Sequence, residues 1–366
     1  MSAGAGDTAS LNAQAGRRWQ AIDPLLPVPG DKSPGCGARL VVDGAGGQPA
    51  ASGTCVHRQG VPGSLDLTWG AARGFQLTVR LAGPDAANAL DQLLSLWRDH
   101  LARVPGADGE DTAAIVSWPS RDIDGAGALL RHGLAPLAVV AARTTTRHPA
   151  GLADGAPLQA ESSAGPAGGP LWQAESSAGP AGGAPWRAGV IEGAGQVTGT
   201  SRQDLRIRRA GPADIDAVVR LGLEVIRFDA HFGSVTERPE TADALWRETA
   251  GLLAVPETWT WLAERDGTAI GMLCAERPES AGWIAPMVRP SPVAYLLLMG
   301  VAAGERGSGV GTALAARLHR EIKATGVAVT LLHYAQLNPL SVPFWSQQGY
   351  RPLWTAWEAR PARTIR

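Results

Sequence analysis

The chain has 366 residues, a formal net charge of −1, and 45% hydrophobic against 18% charged residues. That length exceeds what one core organises and predicts two domains, and the composition excludes a wholly disordered chain. A near-neutral balance also speaks against a protein that grips nucleic-acid backbone, so no nucleic acid is expected as a partner.

Cys36, Cys55 and Cys274 are odd in number and far apart, and the seven histidines show neither HExxH nor HxH spacing. Neither a disulfide framework nor a metal site is expected. No apolar run reaches the roughly 18 residues needed to cross a bilayer. Met1 to Gly16 lacks the basic start and apolar stretch of a signal peptide. The expected location is cytoplasmic, with no membrane partner.

Residues 1–34 read as a flexible tail. In 35–148, Leu65, Leu67 and Trp69 alternate, as do Phe75, Leu77, Val79 and Leu81, which predicts two strands. A helix over Asp85–Arg103, a strand over Ala113–Trp118, a helix over Ile123–Arg131 and a closing strand over Ala135–Arg143 follow. Residues 159–172 and 173–186 are near-identical copies, QAESSAGPAGGPLW and QAESSAGPAGGAPW. A unit so rich in Ala, Gly, Ser and Pro cannot offset its ordering entropy by burial, so 149–203 reads as a flexible linker. Its position predicts two domains with separate cores.

Residues 204–366 carry a clearer pattern. A half-wet strand over Leu205–Arg209 leads to a helix opened by Pro212, then a second helix over Ala242–Leu253. Strands Thr258–Glu264 and Thr268–Glu276 meet at Asp266-Gly267, a hairpin signal. Tyr295–Val301 is a continuous apolar run, as in a strand buried on both faces. After a glycine-rich turn comes a helix with Val310, Leu314, Leu318 and Ile322 on one face. A strand over Val327–His333, a helix over Ser341–Gln348 and a strand over Arg351–Ala359 complete the order. The first half echoes it, most clearly in Gly133-Leu134-Ala135-Pro136-Leu137 against Gly349-Tyr350-Arg351-Pro352-Leu353.

The turn Arg306-Gly307-Ser308-Gly309-Val310-Gly311 carries the chemistry. Three glycines let successive N–H groups converge at the positive end of a helix, a cradle for phosphate oxygens. A Walker loop is excluded, since no lysine precedes Thr312. A Rossmann fingerprint is excluded by the late position and by the next strand, which ends in His333 and Tyr334 rather than an acid.

Arg306-x-x-Gly309-x-Gly311 resembles the signature by which GNAT acyltransferases hold the pyrophosphate of coenzyme A. Val301, Asn338, Phe344-Trp345 and Gly349-Tyr350 stand at supporting positions, and the element order of 204–366 is similar throughout. The resemblance implies an α/β fold, a mixed central sheet flanked by helices, present twice, with a truncated and degenerate first copy. It implies acetyl-CoA as cosubstrate, and a small-molecule amine as acceptor. The chain would be a monomer or homodimer. Coenzyme A would lie on Met299, Val301, Arg306, Gly307, Ser308, Gly309, Val310, Gly311, Thr312, Asn338, Phe344 and Trp345, in a gap where the fourth and fifth strands splay. A neutral amine would attack directly, with both reactants held in line.

Two departures stand out. Trp345 occupies the place where the family often has a tyrosine acid, and an indole cannot release its proton at neutral pH. Tyr295–Val301 contains no carboxylate to act as base. The candidates for proton handling are Tyr295, Tyr334, Glu276 and His231, with Asp229 beside His231. A coenzyme A-binding or regulatory module without turnover is the alternative, and a partner-recruiting scaffold is a third.

Overall fold

The computed structural model describes residues 3–29, 37–44, 47–145 and 205–366. The expected tail begins as a helix, α1 (Ala3–Ile22). Leu11 and Ala15 on it, and Leu25 and Leu26 behind it, are buried, with Trp19 and Ile22 packed against the same core. Their four-four-three spacing forms one apolar face, which intervening Ala, Gly and Ser obscure. The tail reading is therefore corrected, while the linker at 149–203 lies outside the described residues.

Two strands escaped the sequence pattern: β1 (Ala38–Asp43) and β2 (Pro49–Gln59). The buried side of β2 is Ala51, Gly53 and Cys55, too small to register as a hydrophobic alternation. Leu65 to Thr68 is a 3-10 turn rather than a strand, although Leu65 and Trp69 are buried. The rest falls where expected: β3 (Arg73–Leu81), α2 (Ala86–Leu101), β4 (Thr112–Pro119), α3 (Ile123–Arg131) and β5 (Ala135–Thr144).

The second half contains β6 (Arg206–Arg209), α4 (Ile215–Ala230), α5 (Thr241–Ala254), β7 (Trp259–Arg265), β8 (Thr268–Glu276) and β9 (Val293–Val301). It continues with α6 (Val310–Ala324), β10 (Val329–Ala335), α7 (Ser341–Gln347) and β11 (Arg351–Ala359). Asp266 and Gly267 both take positive φ, which makes the tight β7–β8 turn. Val310, Leu314, Leu318 and Ile322 bury the inner face of α6 completely.

All the strands join one sheet, in the order β1-β2-β3-β4-β11-β5-β10-β9-β8-β7-β6. Each half lends its last strand to the other. β11 pairs antiparallel with β4, from Trp354↔Pro119 to Ala359↔Ala114, and β5 pairs antiparallel with β10, from Val329↔Thr144 to Ala335↔Ala138. Between them β5 and β11 pair with each other. With Pro136 matched to Pro352, Val139 matches Thr355, and those two residues are register partners. The echo seen in the sequence is thus the pseudo-twofold centre of the molecule.

The cores are shared accordingly, against the expectation of separate ones. One cluster joins Leu25, Leu65, Ala138 and Val140 to Leu298, Leu331 and Trp354; another joins Phe75, Leu93 and Trp118 to Trp357 and Ile365. Polar ties reinforce this. Arg351 donates to both oxygens of buried Asp23, at 2.8 Å to Oδ1, and Arg238 Nε donates to the Leu67 carbonyl at 2.9 Å. Residues 205–366 expressed alone should therefore self-associate or aggregate, because β10 and β11 lose their partners along a full edge. Size-exclusion chromatography of the fragment with and without residues 1–145 measures this; a soluble, cooperatively melting monomer would refute it.

Candidate functional site

The parallel pairing of β9 with β10 runs from Val293↔Val329 to Leu296↔Leu332 and stops, although the strands continue to Val301 and Ala335. They diverge into a V. On the other side of β9 the register with β8 slips, with Cys274 opposite Leu298 and Ala275 opposite Leu296. Leu297 is the extra residue of a β-bulge and has no register partner on either neighbour. The ladder is thus interrupted at this residue on both sides of β9, beside the gap.

From the end of β9 the chain passes a 3-10 turn, Ala303 to Glu305, into the glycine loop. Gly307 and Gly309 have φ of 78° and 87°, and Gly309 is the left-handed N-cap of α6. A Cβ on Gly309 would meet no protein atom within 4 Å, so the loop is open on that side. Ser308 Oγ donates to the Glu305 carbonyl at 2.6 Å, which pins the loop and leaves the first-turn N–H groups of Val310, Gly311 and Thr312 facing outward from a helix start without acidic residues. Arg306 lies with its guanidinium 5.2 Å from the Phe228 ring centre, and its buried Nε has no hydrogen-bond partner among the described residues. Burial pulls its pKa down while Glu224 opposes the shift. An orphaned arginine nitrogen and an open glycine cradle at a helix N-terminus fit a pyrophosphate.

The two faces of the V differ. Tyr295 and His333 share the α4 face, where Tyr295 Oη and His333 Nδ1 are 2.8 Å apart. Trp283 stacks edge-on against Tyr295 at 4.9 Å, and its Nε1 donates to Glu276 Oε2 at 2.8 Å. Glu276 and Tyr295 are also register partners. This builds one chain, Glu276–Trp283–Tyr295–His333, across three strands. Tyr334 packs on the α6 face, with Phe344 and Trp345, and burial pushes its phenol up to about 12. Trp345 is buried, and its Nε1 has no partner among the described residues. On α6, burial chiefly, with Arg143 adding, drives His319 down to about 4.

Of the four predicted proton-handling residues, the structure brings Tyr295 and Glu276 together and sets Tyr334 on the opposite face. His231 is not part of the cluster: it is exposed, with Nδ1 turned to the carbonyls of Arg227 and Phe228. His333 and Trp283 were missed. The alternation that places His333 beside Tyr295 is visible in the sequence, but the Trp283 contact depends on a loop whose path is not.

Asp229, at the end of α4, is the most perturbed of the carboxylates here. It is fully buried; its Oδ1 accepts from Asn338 Nδ2 at 2.8 Å, and its Oδ2 has no partner among the described residues. Asn338 Oδ1 in turn accepts from the N–H groups of Leu340 and Ser341, at 2.9 and 3.1 Å, and fixes the start of α7. Burial raises the Asp229 pKa from 3.8 to about 7, against the Asn338 hydrogen bond that lowers it. A carboxyl raised in the folded state contributes its full stability below pH 4 and loses it as pH rises through 7. Asp229→Asn should therefore raise Tm at pH 8 and leave it almost unchanged at pH 4, as thermal melts across that range would show; an equal shift at both pH values would contradict the burial argument.

Residues 224–350 match the model of the acetyltransferase (GNAT) family. No curated protein matches the chain. Among solved structures, a GCN5-related N-acetyltransferase from Sphaerobacter thermophilus covers 97% of this chain and 92% of its own at 13% identity, with a TM-score of 0.51. A tandem GNAT protein from the clavulanic acid biosynthesis pathway covers 98% and 94% at 15% identity and a TM-score of 0.41. A GNAT-family acetyltransferase from Colwellia psychrerythraea covers 94% and 95% at 11% identity and 0.43. At such identities the Sphaerobacter likeness speaks for the fold alone, over nearly the whole chain. Residues 224–350 thus match the GNAT acetyltransferase family model, in a chain whose fold is a tandem of two GNAT-like halves.

Proposed function

We propose that the second half is an acetyl-CoA-dependent N-acyltransferase acting on a small primary amine. The observation that carries this is the splay of β9 from β10, leading directly to a positive-φ glycine loop at the start of α6. Arg306 to Thr312 hold the pyrophosphate, and the free edge of β9 from Leu297 to Val301, Met299 included, holds the pantetheine arm. Asn338, Phe344 and Trp345 close the far side of the gap. When bound, acetyl-CoA supplies a thioester carbon; the amine nitrogen bonds to it as the carbon–sulfur bond breaks. N–H groups at the Leu297 bulge are placed to bind the carbonyl oxygen as charge develops there. The unpartnered indole N–H of Trp345 donates to the departing sulfur without giving up its proton. A thiol with a pKa of about 8.5 leaves without needing an acid. The Tyr295–His333 pair orders the acceptor side.

The first half lacks the means to do the same. β3 and β4 also diverge, their parallel pairing ending at Leu77↔Val116. Yet only Ala82-Gly83-Pro84-Asp85 separate β3 from α2. Pro84 has no N–H to offer, and Asp85 puts a carboxylate where phosphate would lie. The non-catalytic reading retains one specific support, the tryptophan at 345.

Free-thiol release from acetyl-CoA across a panel of amines tests the reaction, and binding without release on any amine would select the module instead. Calorimetry should give one coenzyme A per chain; two would contradict the reading of the first half. Gly309→Val should weaken binding at least about tenfold, or 1.4 kcal/mol, with the fold retained by circular dichroism. Unchanged affinity would remove the loop from the site.

A further inference from the structure

The two halves meet the same structural demand with opposite chemistry. In each, a helix that precedes the strands packs on the two strands before the gap: α1 on β3 and β2, α4 on β9 and β8. Near its C-terminal end that helix reaches a residue three positions beyond the strand on the far side of the gap. In the first half Arg18 reaches Asp122, which follows Pro119; in the second Asp229 reaches Asn338, which follows Ala335. Asp122 and Asn338 do the same local work, each accepting backbone N–H bonds at the start of the following helix, from Gly125 and from Leu340 and Ser341. The tie across the open end of the V is thus present twice.

Its chemistry is complete in only one half. Asp122 takes Arg18 Nη2 on both oxygens at 2.7 Å, Arg18 Nε on Oδ2 at 3.2 Å and Gly125 N on Oδ1 at 3.3 Å. Asp229 takes one hydrogen bond, from a neutral amide, and its Oδ2 stays unmatched in a place without solvent. A buried carboxylate oxygen without a donor is costly, and a chain with no use for it would fill it as the first half does. We propose that Asp229 is the catalytic base of the second half, its Oδ2 taking the proton from the acceptor's ammonium. This rests on the acyl-transfer reading above. One proton passes from the ammonium to Oδ2, the freed nitrogen lone pair forms the new bond to carbon, and the sulfur leaves with the electron pair of the broken bond. The second proton that nitrogen must lose goes to that sulfur, giving neutral amide and free thiol. The proton on Asp229 is released when the products leave and water enters, and the carboxylate is restored.

The surroundings leave Asp229 free to do this. On its own helix, His231 turns outward and Glu224 acts on Arg306. Arg306, from the loop after β9, lies over Phe228. On β10, His333 is bonded to Tyr295, and Tyr334 faces the other side of the sheet. Burial and Asn338 set the Asp229 pKa near 7, which suits a base working at neutral pH. This assignment also supplies the carboxylate that β9 lacks.

The test uses the full chain and any amine that supports thiol release. Wild-type kcat/KM should fall about tenfold per pH unit below 7. Asp229→Asn should lower kcat/KM at pH 7.5 by about a hundredfold or more and move the break in the profile from near pH 7 to the pKa of the amine itself, with coenzyme A affinity within twofold. A second variant, Asp229→Ser, leaves Asn338 in place, and should fold, bind coenzyme A and release thiol no faster than Asp229→Asn. An Asp229→Asn enzyme within threefold of wild type, or one that keeps the break near pH 7, overturns the assignment while leaving the acyl-transfer reading intact. A wild-type chain that binds coenzyme A but acts on no amine overturns both. Should Asp229→Asn fail to melt cooperatively, Asp229→Ser decides: an enzyme within threefold of wild type refutes the role.

Discussion

The pairing of β5 with β11 is the contact on which the rest of the molecule depends. Each is the last strand of one half, and each completes the sheet of the other. Because both strands descend from the same pattern, either fits the slot beside the other's penultimate strand, and the two fit each other about a centre at Val139 and Thr355. A backbone ladder of this kind is hard to break piecemeal, since loss of either strand leaves unpaired N–H and C=O groups in two places at once. It also fixes β10 from its far side, by the register Val329↔Thr144 to Ala335↔Ala138. β10 can then stand away from β9 without collapsing onto it, and the gap survives.

This gives the degenerate half a physical role. Ala82-Gly83-Pro84-Asp85 stands where the second half has its glycine loop, but Ala138 and Val140 of β5, with Leu25, Leu65 and Trp69, share a core with Tyr295. Arg238 and Arg247 of the second half donate to carbonyls of Leu67 and Gly63, and Trp354 Nε1 donates to Met287 O at 2.7 Å inside the same wall. Those contacts give the first half a structural part in the core of the second.

Much of the second half was legible because its signals are local. Apolar runs such as Tyr295–Val301, the four-residue spacing on α6 and the Asp266-Gly267 turn each require only neighbouring residues to be read. The glycine loop was legible for the same reason, since positive φ at Gly307 and Gly309 follows from chain-local constraints. What the sequence hid is non-local. Strand exchange leaves no periodic trace, because β11 alternates in the same way whichever sheet receives it. Small residues on β2 and diluted ones on α1 are buried only because partners arrive from elsewhere. The same holds at the site: nothing near Asp229 in sequence foretells Asn338, and His333 reads as the end of a buried strand until Tyr295 is placed beside it.

The strand order also determines how long a tether the halves need. The end of β5 and the start of β6 are five strand steps apart, about 24 Å across the sheet, and lie at opposite ends of the strands, about 30 Å apart along them. An extended chain covers the resulting span of about 38 Å in about twelve residues. The stretch between Thr144 and Arg206 is several times longer, and its doubled unit adds reach that the geometry never calls upon. Duplication there changes the effective concentration of one half about the other only weakly, since closure entropy grows with the logarithm of length. Copy number in that segment is therefore close to invisible to selection for folding, and a sequence of this kind can gain or lose whole units as neutral variation.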